Sequence, residues 1–237
     1  MLVVDAGNTC VKFARVARRG SAPQIFETTP SNSLTAAHVA RLWRRSRCRS
    51  SAAACVVPTV AGKLRAGCRG IVLIGPDTPL NFPGLVDRQT VGADRLANMA
   101  EAARRFGKSV TVVDFGTAAT FDVLDGRGCF AGGAIAPGLR VLAEALAGNA
   151  AQLPVAKLSV PRRAIGRNTH EALCLGVAGG YAGLVMSLLK NFRSRHVVFT
   201  GGDARVAARL TRAKAVMDPR WTLRGIAILG ELAAHAQ

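Results

Sequence analysis

Asp5 and Asp114 each end an apolar run and open onto a glycine followed by a hydroxyl or amide. The two stretches are Leu2-Val3-Val4-Asp5-Ala6-Gly7-Asn8-Thr9 and Val112-Val113-Asp114-Phe115-Gly116-Thr117. A strand that ends in Asp and turns through Gly is a phosphate-handling layout. Gly lets backbone N–H groups approach an anion, and Asn8, Thr9 and Thr117 can donate hydrogen bonds to phosphate oxygens. The two carboxylates meet phosphate favourably only through a cation, so they imply Mg²⁺ or another bound cation. Two facing loops of this kind can clamp a nucleoside triphosphate. An ordinary β-hairpin puts the same residues at its turn; the second copy in a matching context is what favours chemistry. Basic-glycine turns follow both copies, Arg18-Arg19-Gly20 and Asp125-Gly126-Arg127-Gly128. One design therefore occurs twice in the chain.

The elements that must position these loops read as α/β. Strands are predicted over 2–5, 11–16, 24–28, 52–57 and 71–74. Helices are predicted over 34–43, with Ser33 as cap, and over 59–66. Residues 80–89 are irregular. A helix over 93–106 carries one apolar face of Leu96, Met99, Ala100 and Ala103, and Gly107 stops it. Asp94 and Arg95 then sit in its first turn, where the helix end favours negative charge. The pattern restarts with strands over 110–114, 120–124 and 129–135 and a helix over 139–146. An irregular stretch runs to Arg163. A long helix (169–189), a strand (196–200), a short helix (204–210), a strand (213–217) and a closing helix (221–234) complete the chain. Two rounds of three strands, then alternating helix and strand, predict mixed sheets, with a hinge near Gly107.

The 237 residues suffice for two small domains, and 49% hydrophobic with 19% charged residues describe a globular chain. The formal charge of +18 is spread out, dense only at Arg41, Arg44, Arg45, Arg47 and Arg49, with little aromatic interleaving. It attracts anionic ligands such as ATP, and a dedicated nucleic-acid role is not expected. The six cysteines form no Cys-x-x-Cys pair and have no His cluster nearby, which argues against zinc and suits a reducing cytosol. Asp5 interrupts the first apolar run, so no signal peptide is read. Residues 172–189 are uncharged and near the length of a membrane span. Their glycines and the polar start before them favour a buried helix whose Gly-x-x-x-Gly spacing makes a packing face or subunit interface.

The paired loops resemble the two phosphate motifs of the actin-like ATPase and sugar kinase superfamily, and within it the chain resembles type III pantothenate kinase. The segments that carry this are Asp5-Ala6-Gly7-Asn8-Thr9 with Lys12, Val91-Gly92-Ala93-Asp94-Arg95-Leu96-Ala97-Asn98, Asp114-Phe115-Gly116-Thr117-Ala118, Gly132-Gly133-Ala134-Ile135-Ala136-Pro137-Gly138, Ile165-Gly166-Arg167-Asn168-Thr169 and Thr200-Gly201-Gly202. They span nearly the whole chain in the family's order. The resemblance implies two ribonuclease-H-like domains with a cleft between them, 1–108 and 109–220, with helix 221–235 packing back on the first. It implies ATP-dependent phosphorylation of pantothenate to 4′-phosphopantothenate in coenzyme A biosynthesis, by a cytoplasmic homodimer. Asp5, Ala6, Gly7, Asn8, Thr9, Cys10, Val11 and Lys12 would line the ATP phosphates, with Thr117 contacting them from the second domain. Asp94 would be the proton acceptor. Gly92, Ala93, Asp94, Arg95 and Thr169 would contact substrate, with Arg95 suited to its carboxylate. Asp114 would hold a monovalent cation (K⁺ or NH4⁺) beside the Mg²⁺ of ATP. Gly132-Gly133 and Pro137-Gly138 resemble loops that close around the site, and Gly201-Gly202 the adenosine-side loop.

The family often carries a Tyr before Gly-x-Asp-Arg, whereas the one tyrosine here is Tyr181. Phe82 or Val86 would stand for part of that pocket wall. The residues without the resemblance support an ATP-dependent kinase of a small anionic alcohol. A kinase for another small hydroxy acid and a weak accessory regulator that binds nucleic acid are the alternatives.

Overall fold

The computed structural model describes every residue except Arg19, Gln152, Ala156, Lys157, Leu158, Arg162 and Gln237. Arg19 of the first basic-glycine turn, and part of the irregular stretch before Arg163, therefore lie outside the described residues. The chain divides into two compact units. One comprises Met1–Lys108, Leu124–Gly132 and Arg220–Gln237, the other Ser109–Val123 and Gly133–Pro219.

The first unit is built on a five-stranded sheet, ordered β3-β2-β1-β4-β5. Strands β1 (Leu2–Ala6), β2 (Cys10–Arg15) and β3 (Gln24–Pro30) run antiparallel; β4 (Ser51–Cys55) and β5 (Val72–Leu73) continue parallel to β1. Side chains alternate across a strand. Leu2, Val4 and Ala6 pack with Val39, Leu42, Val60 and Leu64 of α1 (Ala36–Ser46) and α2 (Pro58–Gly67). Val3 and Asp5 take the opposite face, towards α3 (Ala93–Phe106) and α8 (Trp221–His235). The helix α1 starts later than the apolar spacing suggests. Thr35 Oγ1 accepts the His38 N–H at 3.1 Å, whereas the Ser33 hydroxyl donates to the Pro30 carbonyl.

The α3–α8 pairing is close because Gly225 faces the Ala97 carbonyl, and a Cβ there would lie 1.7 Å from that oxygen. Trp221 is wholly buried; its Nε1 donates to the Asn98 carbonyl at 3.0 Å, and its ring stacks on Phe106. The Thr222 hydroxyl donates to Asn98 Oδ1 at 2.9 Å, so the buried Asn98 is satisfied on its side chain and backbone.

The second unit repeats the sheet in the order β8-β7-β6-β9-β10. Its strands are β6 (Val110–Phe115), β7 (Ala118–Leu124), β8 (Phe130–Pro137), β9 (His196–Thr200) and β10 (Val216–Met217). β9 is parallel to β6 and β10 to β9. β10 is much shorter than predicted. Val113, Phe115, Phe121 and Phe199 form a core with Ala178, Tyr181 and Val185, and Asp114 takes the other face of β6. α4 (Leu139–Asn149) and α7 (Ala204–Thr211) complete the unit.

The long helix is α5 (Thr169–Leu173), a π-helical turn (Cys174–Gly179) and α6 (Gly180–Phe192). Gly176, Gly179 and Gly180 weaken helical propensity where the wider turn sits. The helix is long and apolar enough to cross a membrane by length and composition, with a mean hydropathy of 1.9. The expectation of a buried helix is corrected here. Leu173, Cys174, Ala178, Tyr181 and Val185 are buried, while Ala172, Gly176, Gly180, Gly183 and Ser187 form an exposed stripe of small residues. A Cβ on Gly176, Gly180 or Gly183 would meet nothing within 4 Å, so packing of the chain on itself does not require glycine there.

Candidate active site

In the first unit the candidate residues converge on the C-terminal end of β1 and the start of α3. The β1–β2 register sets Lys12 opposite Asp5, and Lys12 Nζ lies 3.5 Å from Asp5 Oδ2. The turn between them is closed by the Gly7 N–H donating to the Cys10 carbonyl at 3.1 Å. Ser31, just past β3, braces this turn: its hydroxyl donates to the Gly7 carbonyl at 2.7 Å and its N–H to the Thr9 carbonyl. Asn8 and Thr9 are exposed at the turn tip.

Asp94 and Arg95 occupy the first turn of α3, as the helical spacing predicts. Asp94 folds back over the helix start, where its Oδ1 accepts the Arg95 N–H at 2.8 Å. A Cβ on Gly92 would lie 2.6 Å from that oxygen, so Gly92 is what lets the carboxylate sit there. Burial pushes the Asp94 carboxyl above its ordinary value; the Arg95 amide opposes this and the negative charge of Asp5 adds to it. Burial raises Asp5 as well, and Lys12 opposes that rise. The Asp5 carboxylate thus influences the protonation of Asp94.

In the second unit Asp114 lies one residue before the end of β6, in the last pair of the parallel register with β9, opposite Thr200. Gly201 follows with φ of 91°, and its Cα faces the carboxylate: a Cβ there would lie 2.4 Å from Asp114 Oδ1 and 2.5 Å from the Phe115 carbonyl. Gly116 N–H donates to the Ala118 carbonyl at 3.0 Å, a turn one residue tighter than that after Asp5. The Thr117 carbonyl accepts the Gly138 N–H at 2.9 Å, which places the start of α4 against this loop. A Cβ on Gly138 would lie 2.2 Å from the Gly116 carbonyl. Thr169 stands on an element of its own. It is the exposed first residue of α5, behind the cap Asn168, whose Oδ1 accepts the Glu171 N–H at 2.9 Å.

Ser31 was not singled out from the sequence, although a signal was present. Pro30-Ser31 ends β3 as Pro137-Gly138 ends β8, and both pairs brace a phosphate-type turn. Of the two candidates for the pocket wall, Phe82 is buried with its ring edge on Phe130 at 6.2 Å and Val86 is half-buried, while Leu85 between them is 72% exposed. Phe130, over which the Arg95 guanidinium lies, was also missed.

The model of the type III pantothenate kinase family matches residues 1–191. A type III pantothenate kinase of Roseiflexus castenholzii is 40% identical over 192 residues, covering 76% of this chain and 75% of that protein. One from Rhodospirillum rubrum is 36% identical over 249 residues, covering 97% of each. Among solved structures, a Campylobacter jejuni protein assigned to the Baf family of transcriptional activators aligns with a TM-score of 0.64 and 20% identity, over 98% of both chains. The two mixed five-stranded sheets, alike in strand order, have the architecture of two ribonuclease-H-like domains. The chain belongs to the type III pantothenate kinase family.

Proposed function

We propose that the protein transfers the γ-phosphoryl group of ATP to the primary hydroxyl of pantothenate, giving 4′-phosphopantothenate for coenzyme A biosynthesis. The observation that carries this reading is the Asp94 carboxylate, held at the first turn of α3 by Gly92 and the Arg95 amide, with a raised affinity for a proton. As the substrate hydroxyl oxygen bonds to the γ-phosphorus and the bond to the β–γ bridging oxygen breaks, Asp94 accepts the hydroxyl proton and ADP leaves. In a loose transition state this proton moves late, so a carboxylate suffices. Arg95 pairs with the substrate carboxylate through its planar fork, with Gly92, Ala93 and Thr169 as further contacts.

The loop from Asp5 through Ala6, Gly7, Asn8, Thr9, Cys10 and Val11 to Lys12 takes the ATP phosphates, and Thr117 supplies a further hydroxyl. Among the described residues no group of three His, Cys, Asp or Glu forms a metal cage. Mg²⁺ would arrive on the nucleotide, largely hydrated. When bound, it neutralises phosphate charge. For Asp114 we propose a monovalent cation, K⁺ or NH4⁺. The donors beside Gly201 are oxygens, the Asp114 carboxylate and the Phe115 carbonyl, and a side chain at 201 would fill their cradle.

We also propose a homodimer that uses the exposed stripe Ala172, Gly176, Gly180, Gly183 and Ser187 as its packing face. Among the described residues the six cysteines are thiols and form no disulfide, and we read the protein as one of a reducing cytosol. A G180W variant that keeps the dimer mass in light scattering would remove this face from the interface. The kinase reading is tested by ADP release with ATP, Mg²⁺ and pantothenate, in potassium and in sodium, on wild type and D94N. Potassium-dependent turnover that collapses in D94N is expected. Turnover retained by D94N would refute the assignment of the base, and absence of turnover with bound ATP would point to another hydroxy acid.

A further inference from the structure

We propose that Phe130 sets the position of the Arg95 guanidinium and thereby the preference for a substrate that ends in a carboxylate; this rests on the reading of Arg95 as the carboxylate contact. Arg95 Cζ lies 5.9 Å from the centre of the Phe130 ring, within cation–π range. Phe130 is fully buried, and Phe82 meets it edge-on at an interplanar angle of 80°. Its backbone is also held. The Phe130 N–H donates to the Pro83 carbonyl at 2.8 Å, and the Leu85 N–H donates to the Phe130 carbonyl at 2.9 Å. Gly84 and Phe130 form an isolated parallel bridge, so the tip of the β7–β8 hairpin is stitched to the loop that leads into α3.

The tip itself is braced. Asp125 Oδ1 accepts the N–H groups of Arg127 and Cys129 at 2.8 and 2.9 Å. Gly128, with φ of 83°, runs so close to the Gly107 carbonyl at the end of α3 that a Cβ would lie 2.7 Å from it. The hairpin tip is thus fixed against the loop before α3 and against the residue that ends it. A guanidinium laid on such a ring loses out-of-plane freedom and keeps its in-plane N–H groups for a planar acceptor. Less ordering remains to be done when a carboxylate arrives. Phe130 is therefore a positioning residue that acts through Arg95.

The test is a double-mutant cycle on the whole protein with ADP present, read as the Kd of pantothenate and of its analogue with the carboxylate replaced by CH2OH. Calorimetry reads both without turnover. F130L should weaken pantothenate about three- to tenfold, the span of a partly desolvated cation–π contact. The alcohol analogue should stay within about twofold, since it offers no charge to the fork. In the R95K background, which keeps the charge and loses the planar stack, F130L should add nothing. Equal weakening of both ligands, or the same loss in the R95K background, overturns the inference, as does a wild type with no preference for the carboxylate. A wild type that prefers the carboxylate yet transfers no phosphoryl group overturns the kinase reading alone.

Discussion

Asp5 and Asp114 end corresponding strands of two sheets with the same strand order, yet their charges are handled differently. Two residues beyond Cys10, which closes the first turn, stands Lys12, an ammonium 3.5 Å from Asp5. Two residues beyond Ala118, which closes the second, stands the neutral Thr120. Around Asp114 the backbone crowds in, with Gly201 against the carboxylate and Gly138 against the turn. The turn glycines themselves are alike: a Cβ on Gly7 would lie 3.6 Å from the Cys10 carbonyl, and one on Gly116 3.6 Å from the Ala118 carbonyl. One copy of the design carries its counter-charge on a neighbouring strand and has a second carboxylate, Asp94, on the same side of the sheet. The other is a tight oxygen-lined corner. A duplicated turn can thus diverge into two sites without change of strand order, through its side chains, one residue of turn length and two close glycines.

The largest effect should come from Asp94, the proposed base of the first site. D94N should lower kcat by about 10²- to 10⁴-fold, the usual contribution of a positioned base. The same variant should not lower Tm. The folded Asp94 pKa is raised, so its stabilising contribution is full below the ordinary carboxylate range and lost as pH rises through the folded value. At neutral pH the charge is a burden that Asn removes. A clear drop in the D94N melting temperature would contradict this account.

Next in size is the contrast in glycines. G201A and G138A should each cost more than about 2 kcal/mol in urea unfolding, because the added Cβ meets backbone and residue 201 needs a positive φ. G7A should stay within about 0.5 kcal/mol, as expected of a change that meets no clash. Equal costs at positions 7 and 201 would dissolve the comparison.

Smaller, and sharper, is an exchange of counter-charges. T120K adds an ammonium at the position that corresponds to Lys12, and turnover in sodium should rise to within about twofold of that in potassium. K12M should raise the KM for ATP by about tenfold, the loss of one charged contact. A potassium requirement unchanged in T120K would detach Asp114 from the cation.

The smallest effect is in the pH profile. Burial and the charge of Asp5 both raise Asp94, so the acid limb of kcat should begin above the ordinary carboxylate range. Activity falls as pH drops through the raised value, whereas the stability contribution of the same group grows. A limb at the ordinary value would remove Asp5 as an influence on Asp94.

Most of the architecture was legible in the residues. The apolar runs that end in Asp, the restart at Val110 and the helical face of Leu96, Met99 and Ala100 are local patterns, and they predicted the strands and α3 within a few residues. Where reading failed, the cause was competition between near-equivalent local options. Thr35 displaced Ser33 as a cap two residues on, and glycines let the long helix widen into a π turn. Residue types and spacing also pointed to the candidate chemistry, since Asp, Gly and hydroxyl in series, repeated in a matching context, favour a phosphate loop over a plain hairpin turn. Only the tertiary structure decided that Phe130 underlies Arg95, that Ser31 braces the Gly7 turn, that Gly201 fills the corner at Asp114 and that Gly225 admits the Ala97 carbonyl. These partners lie tens to more than a hundred residues apart, and no period of 2 or 3.6 connects them. Strand alternation says which face a side chain takes; the packing of whole elements decides what waits for it there.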